Sequence, residues 1–197
     1  MAHVHGAAEH YTSTGIHPSK LLMWLFLGSD CFFFGSLIAT YQAYRGQSLT
    51  GPHPHEIFNI PYTSISAFVL LMSSLTMALA VNSIRLGNMP ATRIWLLLTA
   101  MLGSIFVGGQ VFEFTTFVHK GLTLEVNLFG TTFFVLTGFH GTHVTVGILI
   151  LLSLLFASLL GRLTPRQALT VEVAGLYWHF VDIVWVVIFT VVYLLPY

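Results

Sequence analysis

The chain has 197 residues, of which 55% are hydrophobic and 7% charged, with seven Lys and Arg balancing seven Asp and Glu. A soluble domain carries about 25% charged residues, so this composition excludes one and points to a polytopic membrane protein. Zero net charge without a basic patch argues against a nucleic-acid partner, and a single cysteine, Cys31, excludes disulfides and thiolate metal clusters within the chain.

Residues 1–19 form a polar tail without the basic start and short apolar core of a cleaved signal. Its histidines, His3, His5, His10 and His17, read as a metal tract, as a proton-collecting surface beside Glu9, or as a tail with no role, since imidazole titrates near neutral pH. Residues 20–197 form one domain of five apolar stretches, each long enough for the roughly 20 residues a spanning helix needs. They run over about Leu21 to Tyr44, Tyr62 to Ile84, Ile94 to Val118, Leu128 to Leu160 and Ala168 to Leu195. The predicted fold is all-α, a bundle of five transmembrane helices. Breakers fill the connections: Gly51, Pro52, Pro54 and Pro61, then Gly87 and Pro90, then Gly121, then Gly161 and Pro165. The fourth stretch exceeds the bilayer, so it must tilt, kink at Gly138, Gly141 or Gly147, or project.

Short cytoplasmic loops hold the excess of Lys and Arg. Lys20, Arg85, Arg93, Arg162 and Arg166 fall on the N-terminal side of the five spans, and only Arg45 and Lys120 on the other. This predicts a cytoplasmic N-terminus and a periplasmic C-terminus, in a bacterial cytoplasmic membrane.

Ionisable residues inside spans cost several kcal/mol unless they face protein or water, at roughly 2.5 to 3.5 kcal/mol each on insertion scales. Asp30 lies near the middle of the first span among Gly28, Ser29, Gly35 and Ser36. It reads either as a carboxyl bonded to a neighbouring helix or as a proton-relay or lipid-contact group. In the third span Gln110 and Glu113 share a face, next to Gly108 and Gly109, as expected of helix-to-helix glue. The fourth carries His140 and His143. In the fifth, Glu172, His179 and Asp182 fall in one stripe, and Trp178 and Trp185 in a second about a quarter-turn away. These His and acids are an inventory for zinc or non-haem iron, but no Glu precedes a His by three as a di-iron bundle requires. The expectation is a polar network without metal, in which Glu172, His179 and Asp182 hold the last helix against the third and fourth.

Four motifs lie in order along the chain: LFLGSDCFFFG at 25–35, QVFEF at 110–114, GTTFFVLTGFHGTHV at 130–144, and Glu172 leading into YWHFVDIVW at 177–185. Together they resemble subunit III of haem-copper terminal oxidases. The resemblance implies a non-redox accessory subunit of a proton-pumping oxygen reductase, lying directly against subunit I and in one complex with subunit II and smaller subunits. It implies haem and copper in those partners, no cofactor in this chain, and bound phospholipid. Cytochrome c is the expected donor, with a quinol as the alternative; an ion carrier and a membrane metalloprotein are more distant readings. Many members carry two further N-terminal spans, which form one wall of a lipid-filled cleft, so this chain resembles a short form. Asp30 stands where the family usually has Glu, and the resemblance makes it a candidate for lipid contact or proton uptake.

Overall fold

The computed structural model describes residues 15–45, 59–123 and 127–195; His3, His5, His10 and the Gly51 to Pro54 breakers lie outside them. It contains five long helices: α1 (Pro18–Tyr44), α2 (Ile60–Arg85), α3 (Met89–His119), α4 (Leu128–Leu159) and α5 (Ala168–Phe189). A 3₁₀ turn (Pro165–Gln167) leads into α5 and a π turn (Thr190–Leu194) prolongs it. All five helical segments are long and apolar enough to cross a membrane.

Local chemistry explains where the helices start and stop. Asn59, Asn88 and Asn127 cap α2, α3 and α4, each side chain accepting a hydrogen bond from the first turn, and His17 caps α1 in the same way through Ser19 N. Proline sits in the first turn of α1, α2 and α3, where its missing N–H costs nothing. That is why α3 begins at Met89 and not at Ile94: Pro90, read from sequence as a breaker, belongs to the first turn. The far ends of α2, α3 and α4 close on Gly87, Gly121 and Gly161, all at positive φ. Each supports the same paired closure, as in Asn88 N to Ser83 O at 2.9 Å with Gly87 N to Ile84 O at 3.0 Å.

The last span is the hub. α5 packs against α1, α2 and α4, while α3 packs against α2 and α4. Half of the most apolar window of the last span is buried, against 17% of the window in α1. At the centre lies Trp178, 1% exposed. A Cβ on Gly103 of α3 would stand 2.6 Å from its ring, and one on Gly147 of α4 2.8 Å. These glycines let helix backbones approach the indole face, as small residues do between membrane helices. α4 runs unbroken through Gly138, Gly141 and Gly147. Two of them serve close contact, since a Cβ on Gly141 would meet Gln110 Oε1 at 2.5 Å.

Candidate functional site

The polar side chains inside the bundle occupy three levels. At the end holding the starts of α1, α3 and α5, Glu172 Oε1 is shared by Lys20 Nζ at 2.7 Å and Arg85 Nη2 at 2.5 Å. One carboxylate thus ties α5 to both α1 and α2. At the same end Arg93 of α3 donates to Ser158 of α4, through Nε to Oγ at 3.0 Å and Nη2 to the backbone oxygen at 2.7 Å.

At the middle level the stripe on α5 meets α2. Ser74 Oγ lies 2.6 Å from His179 Nδ1, and Trp178 Nε1 donates to Ser73 Oγ at 3.0 Å. Asp182, 3% exposed, faces the same Ser74 hydroxyl without a hydrogen bond of ordinary geometry. The expectation that Glu172, His179 and Asp182 face the third and fourth helices is therefore corrected: they face the second, and Glu172 also the first. The spacing of the stripe set its direction on α5 but not the rotation of α5 among its neighbours.

On the opposite side of α5, Tyr177 OH donates to His143 O at 2.9 Å. His143 Nδ1 lies 2.8 Å from Phe139 O, and a carbonyl only accepts, so Nδ1 carries the hydrogen. Nε2 then turns its lone pair toward Asp30 Oδ2 at 3.7 Å. A proton on either atom makes this contact favourable. The node borders an apolar crevice of about 410 Å³ between α1, α4 and α5, walled by Phe26, Val146, Ile150 and Tyr177. His140 is a separate case: fully buried, stacked on Trp185 at 5.0 Å and flanked edge-on by Phe106 and Phe34, it has no hydrogen bond at either ring nitrogen.

Toward the other end, Gln110 Nε2 donates to Thr137 O at 2.8 Å, joining α3 to α4. Thr63 Oγ1 donates to Glu113 Oε1 at 2.7 Å, joining α2 to α3, and the Tyr193 hydroxyl also faces Glu113. Arg45 closes this end by donating to Leu195 O.

Sequence reading missed the partners more than the principals: Lys20, Arg85, Ser74, Thr63 and Tyr177. Ser73 and Ser74, adjacent hydroxyls inside an apolar run, were the signal that could have found one of them. Among the described residues no three His, Cys, Asp or Glu side chains form a group able to hold a metal ion.

The family model described as cytochrome c oxidase subunit III matches residues 2–197. The chain belongs to the cytochrome c oxidase subunit III family. It is 39% identical to the quinol oxidase subunit 3 of Bacillus subtilis (strain 168) over 187 residues, covering 95% of this chain and 91% of the relative. It is also 39% identical to the cytochrome c oxidase subunit 3 of Bacillus sp. (strain PS3) over 190 residues, 96% and 92% of the two chains. The cytochrome bo(3) ubiquinol oxidase subunit 3 of Pseudomonas aeruginosa matches at 37% over 172 residues, 87% and 82%. The chain is therefore subunit III of a haem-copper oxidase complex, in which oxidase activity belongs to the assembly and the subunit III family carries no haem or copper centre of its own.

Proposed function

We propose that this subunit is a non-redox accessory part of a proton-pumping oxygen reductase, stabilising subunit I, binding phospholipid and supporting proton uptake in a bacterial cytoplasmic membrane. The observation that carries the reading is how the intramembrane polar groups are used. Lys20, Ser74, Thr63 and the Thr137 carbonyl take up Glu172, His179, Glu113 and Gln110, so these groups join helices of the chain to one another. A chain built this way supplies a rigid body for a partner, whereas a carrier leaves such groups facing a water-filled path. His140 and Asp182 stay inside the bundle without such a partner among the described residues, whereas the Asp30 and His143 node borders the apolar crevice, and that node is the candidate for lipid contact or proton uptake.

Cytochrome c is read as the electron donor. The quinol oxidase names of relatives at the same identity favour a quinol as the second reading. Turnover of the purified complex with reduced cytochrome c and with a quinol separates the two. The accessory role is tested by depleting the complex of this chain. The haem spectrum is expected to survive, with slower proton uptake or faster inactivation during turnover; a missing haem band would contradict the proposal.

A further inference from the structure

Two histidines of the bundle differ in how they are enclosed. Both ring nitrogens of His140 are sealed inside, whereas His179 is half-buried, and its Nε2 is neither sealed off nor hydrogen-bonded among the described residues. The ring lies on the outward stripe of α5, in line with the exposed Ile183 and Val186 one and two turns further on. Its other nitrogen, Nδ1, meets Ser74 Oγ at 2.6 Å. Ser74 departs in this from its neighbours on α2, since the hydroxyls of Ser73 and Thr76 donate back to Leu70 O and Ser73 O. The contact with Ser74 leaves the imidazole aimed outward.

His179 stands roughly 15 Å from either end of α5 at 1.5 Å per residue, in the middle of a hydrocarbon core about 30 Å thick. Lipid headgroups lie a leaflet away, and acyl chains offer imidazole no hydrogen bond. An ionisable side chain at this depth faces protein or water. Around the ring, Leu71 of α2 and Ile183 and Val186 of α5 are exposed and apolar, so the seam presents one hydrogen-bonding atom within a hydrocarbon surface. Ser74 and the exposed Ala78, one turn apart and both small, let a further backbone come close there, as small residues do between membrane helices. We propose that the outer seam of α2 and α5 receives a transmembrane helix of another oxidase subunit, and that a hydroxyl, amide or carboxyl side chain of that helix hydrogen-bonds His179 Nε2. The inference rests on the oxidase-subunit reading and gives it a docking face, across α5 from the crevice beside Asp30.

A photoreactive phenylalanine analogue is placed at Ile183, 63% exposed and one turn from His179, or at Leu71, one turn from Ser74. Membranes holding the assembled oxidase are irradiated and the adducts identified by mass. Both positions are expected to capture the same subunit of the complex. Capture of lipid alone, or of a second copy of this chain, overturns the proposal. The hydrogen bond is tested with a pair of variants. His179→Asn keeps an amide for Ser74 and withdraws the group at Nε2, whereas the amide of His179→Gln reaches the Nε2 position. Detergent washing is expected to release the His179→Asn subunit from the haem-bearing complex about threefold faster than wild type, the weight of one average interhelical hydrogen bond, with His179→Gln closer to wild type. Release of His179→Asn at the wild-type rate, or equally fast release of both variants, overturns the contact. A captured protein in a wild-type preparation that carries no haem would instead overturn the oxidase-subunit reading and leave the seam an interface.

Discussion

Trp178 touches three helices besides its own: its indole N–H reaches Ser73 of α2, and its ring lies against Gly103 of α3 and Gly147 of α4. A methyl at Gly103 has no room unless the ring shifts, and overpacking of this kind costs about 1 to 3 kcal/mol. Gly103→Ala is therefore expected to lower the temperature at which the subunit leaves the solubilised oxidase, and adding Trp178→Phe should recover part of the loss. If the release temperature does not change, the contact is looser than described. Asp30 is expected to behave differently. Its 3.7 Å separation from His143 Nε2 is longer than a hydrogen bond, and an amide in its place still offers a donor to that nitrogen. Asp30→Asn should assemble within about 1 kcal/mol of wild type, the scale of one net hydrogen bond, while proton uptake by the complex slows. Failure to assemble would show that a charged Asp30 and His143 pair holds α1 in place.

At the scale of elements, α5 is fastened to α2 along one line, by Glu172 with Arg85 at one end and by His179 with Ser74 in the middle. Interhelical hydrogen bonds in membranes average about 0.6 kcal/mol, so no single fastening dominates. His179→Ala takes away the Ser74 hydroxyl's hydrogen bond and leaves that half-buried group only the Asp182 carboxyl it faces, so the cost is expected to be about 1 kcal/mol. The damage should be relieved in part by Ser74→Ala, because the two residues share one interaction. Equal losses that simply add, read as subunit retention after detergent washing, would mean that the two do not interact. Glu172 is partly exposed, and pairs of that kind contribute at most about 1 kcal/mol and are screened by salt. Glu172→Gln is expected to weaken retention at low ionic strength and to match wild type at high ionic strength; a deficit that persists in salt would point to packing.

For the whole molecule, the distribution of charge sets the expected orientation. Lys20 and Arg85 converge on Glu172 at one end and Arg93 reaches Ser158 there, while Arg45 stands at the opposite end with Leu195. By the positive-inside rule the Glu172 end is expected on the cytoplasmic side. With Cys31 replaced, an impermeant thiol reagent added outside whole cells should label a cysteine placed at Gly51 and spare one at Gly6. The reverse pattern would invert the molecule.

The sequence by itself determined what depends on neighbours along the chain. Apolar length marks the five spans, and Gly87, Gly121 and Gly161 mark breaks between them, because left-handed glycines act within a turn or two; Asn88 and Pro90, read as breakers as well, in fact open α3. The stripe of Glu172, His179 and Asp182 was legible for the same reason, since helical periodicity sets the angles between side chains on one helix. Only the tertiary structure decided which neighbour that stripe faces. In a membrane the lipid-facing side of a helix is as apolar as its buried side, so hydrophobicity does not orient it: Phe32 is 84% exposed and Phe34 2%. Rotation is set by which shapes fit, here Trp178 between Gly103 and Gly147, and that fit brings Ser74 to His179 and Asp30 to His143 across long stretches of sequence.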